Sequence, residues 1–349
     1  MQADITIEGR VVGPGHPPYV VAELSANHGG SLERALDTLN AAKATGADAV
    51  KLQTYTPDTM TLDVDHPDFV IKGGLWAGRK LYELYQEAQT PLDWHRALFE
   101  RARSLGITMF STPFDDTAID FLEALDTPAY KIASFELLDH ALIARAARTG
   151  KPLIISTGMA SQAEISEAIE AAKGAGCQQL LLLHCVSGYP TPIDQINLRR
   201  IPALSAETGL PIGLSDHTLG VEVSVAAVAM GACLIEKHFT LARSDGGPDA
   251  AFSLEPEEFA KLTHGAASAF AALGDGLSAR SASEKANLPF RRSIYVVKDI
   301  AQGEAFTAAN LRAIRPGYGL PPKHLPEILG RSARVPLSRG TRLNWDVIE

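Results

Sequence analysis

The sequence predicts a (β/α)8 barrel, or TIM barrel, followed by a small, mostly β domain. Eight short apolar runs alternate with amphipathic helical patterns over residues 1–273. A small, polar stretch follows at 274–288, and the last segment, 289–349, contains a weak internal repeat. Short runs that are apolar throughout are typical of parallel strands covered on both faces. We therefore expect a barrel domain, a linker and a C-terminal β domain.

The eight predicted strands are spaced for one strand and one helix in each unit. An open, doubly wound sheet is the alternative, and the absence of a glycine-rich dinucleotide turn after the first run disfavours it. The runs are Tyr19–Glu23, Ala47–Lys51, Ile107–Ser111, Ala129–Ala133, Leu153–Ser156, Leu180–His184, Pro211–Ser215 and Cys233–Lys237.

Capping signals predict helices between these runs. Ser31 precedes an apolar stripe that stops near Gly46, and Pro91 stands at the first position of a second helix. Ser161 and Glu164 form a capping box before a third helix. The last predicted helix follows the eighth run, and its apolar stripe consists of Phe259, Leu262, Ala266, Phe270 and Leu273.

Residues 54–90 are too long for an ordinary βα connection and are rich in aromatic residues. They predict an insertion over the barrel mouth, either a lid or a packed surface excursion. Tyr55, Phe69 and Trp76 are apolar surfaces that a ligand could contact, and all three could equally belong to the core.

The C-terminal segment repeats a short pattern. Ile300-x-x-Gly303-x-x-Phe306-Thr307 recurs as Leu337-x-x-Gly340-x-x-Leu343-Asn344, which predicts two related β-turn units. So short a segment buries little core of its own. We therefore expect it to dock on the barrel or on a partner's barrel.

Composition limits the classes of function. The chain has 349 residues, a net charge of −9, 46% hydrophobic residues and 21% charged residues. These values exclude a disordered chain, a collagen-like repeat and a coiled coil. The acidic charge argues against nucleic acid as a partner. No apolar stretch is long enough to span a membrane, and residues 1–10 lack the pattern of a secretory signal.

The cysteines indicate the compartment. Cys177, Cys185 and Cys233 lie singly in apolar surroundings. This pattern predicts buried, reduced thiols in a cytoplasmic protein and no disulfide framework.

Nearly every predicted strand ends in a polar residue. The active site of a (β/α)8 barrel is formed at the carboxyl ends of its strands. One such residue would be read as a structural cap, but a set around the whole barrel indicates a site. The set is Glu23, Lys51, Gln53, Ser111, Thr112, Lys131, Ser134, Ser156, His184, Ser187, Ser215, His217, Lys237 and His238.

Two lysines and three serines of this set form a candidate anion site, because ammonium groups and hydroxyls suit a phosphate or a carboxylate. Each lysine could instead form an ion pair with Glu23 or Glu136. Lys131 or Lys237 could instead be the Schiff-base lysine of an aldolase. The candidate anion site consists of Lys51, Lys131, Ser134, Ser156 and Ser215.

His217 and His238 follow two neighbouring predicted strands, so their imidazoles are expected to lie close together. Two histidines, with water and substrate oxygens completing the shell, suit Mn²⁺ or a similar ion. The chain has no short zinc motif, and hydrogen-bonded structural histidines are the alternative.

Seven motifs resemble, in order and spacing, those of the sialic-acid synthase family, and the match runs along nearly the whole chain. The tail, with Arg292-Ser293 and Arg315-Pro-Gly317, resembles that family's antifreeze-like (SAF) domain. The motifs are Ala22-Glu-Leu-Ser-Ala-Asn-His28, Val50-Lys-Leu-Gln-Thr54, Ser111-Thr-Pro-Phe114, Tyr130-Lys-Ile-Ala-Ser134, Ser156-Thr-Gly-Met159, Gly213-Leu-Ser-Asp-His-Thr218 and Glu236-Lys-His-Phe239.

Within the family, the chain is most similar to the pseudaminic acid synthase branch. The similarity lies in residues 52–63, in 74–79 with Leu81-Tyr82, and in 243–249 with 251–253. The N-acetylneuraminate branch typically has a histidine-bearing sequence where this chain has Thr54-Tyr55, and it tends to have asparagine at the position of Ser187. These departures argue against N-acetylmannosamine as the acceptor and leave the phosphoenolpyruvate site unchanged.

The resemblance implies a condensation of phosphoenolpyruvate with open-chain 2,4-diacetamido-2,4,6-trideoxy-altrose. C3 of the donor attacks the aldehyde carbon, water adds at C2, and phosphate leaves by C–O cleavage. The alternatives are an N-acetylneuraminate or legionaminate synthase, a Schiff-base aldolase, and a non-enzymatic carbohydrate- or ice-binding protein that acts through its tail.

The resemblance also implies residue roles. A divalent ion on His217 and His238, Mn²⁺ or alternatively Mg²⁺ or Co²⁺, polarises the aldehyde oxygen. Glu23 faces the cationic C2 and helps to position or deprotonate water, and the candidate anion site holds the phosphate and carboxylate. The expected substrate contacts are Gln53, Thr112, Ser187, Tyr189 and Asp249, with Asp249 on sugar hydroxyls.

The tail is expected to complete the site. In the family, the arginine that matches Arg315 reaches into the other subunit's site across a dimer. We therefore expect a homodimer with a swapped SAF domain. Without the resemblance, an intrachain salt bridge at a turn would be the preferred role for Arg315.

Overall fold

The computed structural model describes residues 4–277 and 279–349. The chain divides into two compact units, Met1–Gly274 and Asp275–Glu349. Residues 1–3 of the N-terminal segment and Ser278 of the expected linker lie outside the described residues.

The first unit contains a closed barrel of eight parallel strands, in which neighbouring strands follow one another in the chain and the last pairs with the first. This confirms the predicted fold class, and each barrel strand overlaps one predicted run. The barrel strands are β3 (Tyr19–Glu23), β4 (Ala49–Thr54), β5 (Thr108–Pro113), β6 (Tyr130–Ile132), β7 (Leu153–Ser156), β8 (Leu180–Cys185), β9 (Ile212–Asp216) and β10 (Leu234–His238).

A short hairpin precedes the barrel and was not predicted. It consists of β1 (Ile5–Ile7) and β2 (Arg10–Val12), which pair antiparallel. Their buried side chains pack with the inward-facing residues at the starts of the barrel strands, such as Tyr19 and Phe110. The hairpin thus closes the barrel interior at the end opposite to the expected site.

Helices cover the outside of the barrel, and the capping signals define their starts. Ser31 accepts a hydrogen bond from the Arg34 backbone, and Ser161 and Glu164 form the predicted capping box. Pro91 is the residue before its helix and not the first residue in it. The helices of the first unit are α1 (Leu32–Ala44), α2 (Pro57–Met60), α3 (Leu81–Ala88), α4 (Leu92–Leu105), α5 (Asp116–Glu123), α6 (His140–Ala147), α7 (Gln162–Gly174), α8 (Arg200–Thr208), α9 (Glu222–Ala229) and α10 (Pro256–Leu273).

Two further expectations concern burial. The stripe on α10 is buried at Phe259, Leu262 and Ala266, but Leu273 is about half exposed because it is the last residue of the helix. The three cysteines are buried and free, as predicted.

The second unit confirms a small β domain and explains its repeat. Its elements are β11 (Ser293–Val296), β12 (Leu311–Ile314), α11 (Ala282–Ala286) and α12 (Leu325–Ile328). Ile300 and Leu337, which open the two repeats, exchange backbone hydrogen bonds of 2.9 Å. Gly303 and Gly340 both have positive φ, which glycine adopts without strain. The helix α11 lies within the expected linker.

No helix among the described residues is long and apolar enough to cross a membrane.

Candidate active site

A pocket that is open to solvent lies at the carboxyl ends of the barrel strands. Every barrel strand, or the loop that follows it, contributes to its lining. The predicted residues that line it are Glu23, Lys51, Gln53, Thr112, Lys131, Ser134, Ser156, Tyr189, Ser215, His217 and His238.

Three polar strand-end residues instead face away from the pocket. Successive side chains of a strand point to opposite faces, and Ser111, His184 and Lys237 occupy outward positions. Ser111 Oγ lies 2.6 Å from Thr54 Oγ1, and His184 donates to a backbone carbonyl. Lys237 points away from the barrel interior and is completely buried on the outer face of the barrel. Lys237 is therefore out of reach of a substrate in the pocket, which argues against it as a Schiff-base lysine.

The two lysines of the pocket lie in one buried network of charges. Lys51 Nζ is 2.6 Å from Glu23 Oε2, and Lys131 Nζ is 2.9 Å from Glu236 Oε1. Glu236 Oε2 is also 3.8 Å from Lys51 Nζ, and Ser215 Oγ donates to Glu236 Oε1. The ion-pair alternative is thus realised for Lys51 with Glu23, whereas Lys131 pairs with Glu236 and not with the expected Glu136.

Sequence reasoning missed Glu236 and Cys185, which both line the pocket. The signal for Glu236 was present, because a residue two positions before an inward-facing His238 must also face inward. Cys185 was treated only as a buried thiol. Its Sγ lies 3.9 Å from His217 Nδ1.

The two carboxyl groups of the network differ in proton affinity. Burial raises the pKa of Glu23 above its ordinary value, although the charge of Lys51 opposes this shift. Burial acts in the same direction on Glu236, but the charges of Lys131 and Lys51 outweigh it and hold the pKa of Glu236 below its ordinary value. Glu236 is therefore the ionised partner of the lysines, and Glu23 is the group that accepts a proton more readily.

Hydroxyls and a glycine form the opposite edge of the pocket. Ser156 Oγ is buried and has no hydrogen-bond partner within the described part of the chain. Ser134 Oγ accepts a 3.1 Å hydrogen bond from the Gly158 backbone. A Cβ at residue 158 would lie 2.4 Å from Ser187 Oγ and 2.7 Å from Ser134 Oγ, so only glycine fits there. Ser187 therefore adjoins the pocket edge.

The two histidines face each other across the ends of β9 and β10, with ring centroids 5.5 Å apart. His217 Nδ1 lies 3.2 Å from the Val186 carbonyl oxygen. A carbonyl only accepts, so Nδ1 carries the hydrogen in that contact and Nε2 keeps a free lone pair. His238 Nδ1 is buried with no hydrogen-bond partner among residues 4–277 and 279–349.

These donor atoms fit a divalent ion only in part. No group of three or more His, Cys, Asp and Glu side chains suited to a metal occurs in the described ranges. The two imidazoles supply the nitrogen atoms that could bind an ion, and His238 Nδ1 has no other hydrogen-bond partner in the described ranges. Other ligands would have to come from substrate or water.

Some of the other residues expected to contact substrate lie beside the pocket residues already described, and one does not. Gln53 Nε2 donates to Glu23 Oε1 at 3.1 Å, and Thr112 Oγ1 accepts from Lys51. Asp249 is buried, with Oδ2 3.9 Å from His238 Nδ1. Arg315 follows β12 in the second unit, is exposed, and has no ion pair or hydrogen bond within the described residues. The intrachain salt bridge considered for it is therefore not found there.

One aromatic residue of the 54–90 excursion contacts a residue that lines the pocket. The Trp76 ring contacts Tyr189, whose ring lies 4.4 Å from that of His217. Trp76 Nε1 also donates to the Pro248 carbonyl, beside Asp249. Tyr55 is buried against Phe114, away from solvent, and the Phe69 ring packs on His66.

Comparison with known proteins identifies the family. The model of the NeuB family matches residues 38–278, and that of the SAF domain matches residues 291–349. The chain belongs to the NeuB family. This result confirms the resemblance to sialic-acid synthases that the motifs indicated.

Several NeuB relatives are similar over nearly their whole length. The pseudaminic acid synthase of Campylobacter jejuni is 46% identical over 325 residues, which cover 93% of this chain and 95% of the relative. That of Helicobacter pylori is 46% identical over 335 residues, covering 95% and 98%. The N,N'-diacetyllegionaminic acid synthase of Legionella pneumophila is 38% identical over 339 residues, covering 95% and 94%.

A solved structure agrees with the NeuB assignment. The N-acetylneuraminic acid synthetase of Leptospira borgpetersenii, in complex with citrate, superposes with a TM-score of 0.74 at 33% identity. The match covers 82% of this chain and 96% of that one.

Proposed function

We propose that this NeuB chain condenses phosphoenolpyruvate with 2,4-diacetamido-2,4,6-trideoxy-L-altrose and water, giving pseudaminic acid and phosphate. The observation that carries the proposal is the single pocket in which two buried lysines, Glu23 and two histidines meet. The relatives named pseudaminic acid synthase, at 46% identity, support the choice of sugar.

The basic part of the pocket suits the donor. Lys51 and Lys131 would bind its phosphate and carboxylate, with Ser134, Ser156 and Ser215 as hydroxyl partners. The unpartnered Ser156 Oγ supports this role, because a buried hydroxyl without a hydrogen bond is unfavourable unless a ligand supplies one.

Glu23 would act at C2 of the donor. As C3 forms its bond to the aldehyde carbon, the electrons of the C2–C3 double bond are used and C2 becomes cationic. A water oxygen bonds to C2 and loses one proton. The C2–O bond to phosphate then breaks while the C2 hydroxyl loses its second proton, which leaves a ketone. The two water protons end on the aldehyde oxygen, now a hydroxyl, and on the departing phosphate. Glu23 is placed beside Lys51 and opposite His238 in the strand register. Its raised pKa suits a group that takes the proton from water.

We propose that His217 and His238 hold a divalent ion, Mn²⁺ or alternatively Mg²⁺ or Co²⁺. When bound, such an ion supplies Lewis-acid stabilisation of negative charge on the aldehyde oxygen. The free His238 Nδ1 and the hydrogen-bonded His217 Nδ1 support the proposal, since both rings keep a nitrogen available.

The acceptor sugar would lie between the two histidines and the aromatic side chains of Tyr189 and Trp76. Gln53, Thr112, Ser187 and Tyr189 would contact it, and Asp249 would accept hydrogen bonds from its hydroxyls. Asp249 supports this role by its position 3.9 Å from His238.

The oxygen path tests the reaction. Oxygen-18 in the bridging position of phosphoenolpyruvate should appear in the released phosphate. Retention of the label in the sugar acid would mean P–O cleavage and would contradict the mechanism. Borohydride with pyruvate should trap no adduct at Lys131, because this lysine is held by Glu236; a trapped adduct would favour the aldolase.

An acceptor panel tests the sugar. Phosphate release with the diacetamido-trideoxy altrose should exceed release with N-acetylmannosamine and with the legionaminate precursor. The second candidate function is synthesis of legionaminic acid, because a relative with that activity in its name is 38% identical. A preference for its precursor would favour that candidate.

We further propose a homodimer in which the SAF domain of one chain completes the site of the other, in the cytoplasm. Exposed apolar side chains occur in the loops that follow β6, β7 and β8 at the barrel mouth, among them Phe135, Leu138, Met159 and Ile193. Arg315 is exposed and free of partners in the described residues. Both observations support a second copy over the mouth. The free, buried cysteines support a reducing compartment.

Subunit complementation tests this arrangement. The variants His217→Ala and Arg315→Ala should each be inactive alone. Co-expressed with different tags, they should form heterodimers with one complete site, giving about a quarter of wild-type activity for random pairing of two-fold dimers. If Arg315 acts within its own chain, the mixture gains nothing.

A further inference from the structure

A buried ion pair lies directly behind the two histidines. Asp216 and Lys237 are paired neighbours on β9 and β10, and both side chains are completely buried, with Lys237 Nζ 2.7 Å from Asp216 Oδ2. His217, which follows β9, and His238, the last residue of β10, come directly after them in the chain, point the opposite way and line the pocket. The ion pair therefore joins the two strand ends that carry the histidines.

The same network fixes the backbone on both sides of His217. Asp216 Oδ1 accepts hydrogen bonds from Thr218 N at 2.9 Å and from Thr218 Oγ1 at 2.7 Å. Lys237 Nζ also donates to the Thr218 carbonyl at 2.7 Å. Ser224, on α9, donates its hydroxyl to Asp216 Oδ2. The residues before and after His217 are thus tied to β10, to each other and to the helix layer.

We propose that Asp216 and Lys237 are positioning residues that set the separation and direction of His217 and His238, and thereby the affinity for the divalent ion. A completely buried ion pair is a weak source of stability, because the loss of hydration offsets the attraction. A metal site with only two protein ligands depends on the positions of both imidazoles, because no third protein ligand can compensate if one of them is displaced. The inference rests on the metal site proposed above.

The experiment measures Mn²⁺ binding to the metal-free, full-length protein by electron paramagnetic resonance of the free ion. The main variant is the double substitution Asp216→Asn with Lys237→Met, which removes both charges together and leaves no unpaired one. We expect a 10- to 100-fold weaker Mn²⁺ affinity, as is typical for residues that orient metal ligands. Phosphoenolpyruvate affinity, measured by calorimetry, should change by less than about twofold, because the lysines of the pocket lie outside this network.

A gentler pair of variants provides the matched control. Ser224→Ala removes one hydroxyl from the network, and Ser111→Ala removes one equally buried hydroxyl from the network with Thr54 on the far side of the barrel. Ser224→Ala should weaken Mn²⁺ binding about fivefold, the equivalent of one hydrogen bond. Ser111→Ala should leave it unchanged, even if both variants lower the melting temperature equally.

The outcomes separate this inference from the metal proposal. Absence of Mn²⁺ binding to the wild-type protein would overturn the metal site, and the inference with it. Tight binding by the wild type and the double variant alike would overturn the inference alone. Equal weakening by Ser224→Ala and Ser111→Ala would also overturn it, because affinity would then follow global stability. If the double variant does not fold, the two serine variants decide.

Discussion

The pocket has two halves that are built differently. In the basic half, around Lys51 and Lys131, each ammonium group has a carboxylate partner within 3 Å. In the histidine half, around His217 and His238, one imidazole nitrogen is buried with no hydrogen bond in the described ranges. The basic half thus has its charges balanced before any ligand binds, whereas the histidine half has an unused ligand atom.

This difference separates two ways of preparing a site. In a neutralised cluster the attraction of the carboxylates offsets the desolvation penalty of the buried lysines, and an anionic substrate then replaces one carboxylate as partner. An unpaired buried nitrogen is unfavourable by itself, and a bound ion removes that penalty. The two halves should therefore respond separately to perturbation.

Removal of metal should give the largest effect and only on the histidine half. After dialysis against EDTA, turnover should fall by at least about 10³-fold and return on addition of Mn²⁺. Phosphoenolpyruvate affinity, measured by calorimetry on the metal-free protein, should stay within about twofold because its proposed ligands are in the basic half. Full turnover in the presence of EDTA would contradict the metal proposal.

Substitution of Lys131 should break the basic half. Lys131→Ala leaves Glu236 without its closest partner, so we expect a loss of about 3–5 kcal/mol in the free energy of unfolding by urea. The rate of phosphate release should fall about 10²- to 10³-fold.

The double variant Lys131→Met with Glu236→Gln is the control for stability. It removes both charges of the pair and should recover most of the unfolding free energy but none of the activity. Recovery of activity in this variant would mean that the ammonium group has no role in binding the donor.

The sequence predicted the barrel well because its signals are local. Each parallel strand is a largely apolar run, and several helix starts carry a side-chain cap, such as Ser31 and Ser161. The predicted repeat also corresponded to a real pairing, of Ile300 with Leu337. The β1–β2 hairpin was missed, because three-residue strands leave too short a pattern to recognise.

The site was predicted less completely, because its geometry depends on which face of each strand a residue occupies. Strand-end position alone grouped Ser111 and Lys237 with the pocket residues, although both point outward. The period of two would have excluded them and included Glu236. The sequence could not predict the partner of Lys131, since Lys131 and Glu236 come from strands on opposite sides of the barrel.

Substitution of Trp76 should affect the histidine half and leave the basic half unchanged, with a smaller effect than the changes above. The Trp76 ring contacts Tyr189, whose ring is tilted against that of His217 at 4.4 Å between centroids, so Trp76→Ala removes packing that supports the histidine half. The KM for the sugar should rise about tenfold, with the KM for phosphoenolpyruvate unchanged. Phe69→Ala is the matched control, since Phe69 belongs to the same excursion but packs on His66. Equal effects of both variants would assign the change to loss of folding in the excursion.

Substitution of Glu136, at the edge of the basic half, should have the smallest effect, a change in how the free energy of unfolding depends on pH. Burial raises the pKa of Glu136 to about 7, against the opposing charge of Lys131, and Glu136 Oε2 is buried with no hydrogen bond in the part of the chain described. A carboxyl whose pKa is higher in the folded state contributes stability below its ordinary pKa, and this contribution is lost as the pH rises through about 7. Unfolding by urea should therefore show about 1–3 kcal/mol less stability at pH 8 than at pH 5 from this group.

Glu136→Gln should remove that difference and be the more stable protein at pH 8. Glu167→Gln, on the exposed face of α7, should keep the wild-type dependence of stability on pH. An unchanged slope in Glu136→Gln would mean that this carboxyl stays hydrated in the folded protein, and that the edge of the basic half is less enclosed than its contacts indicate.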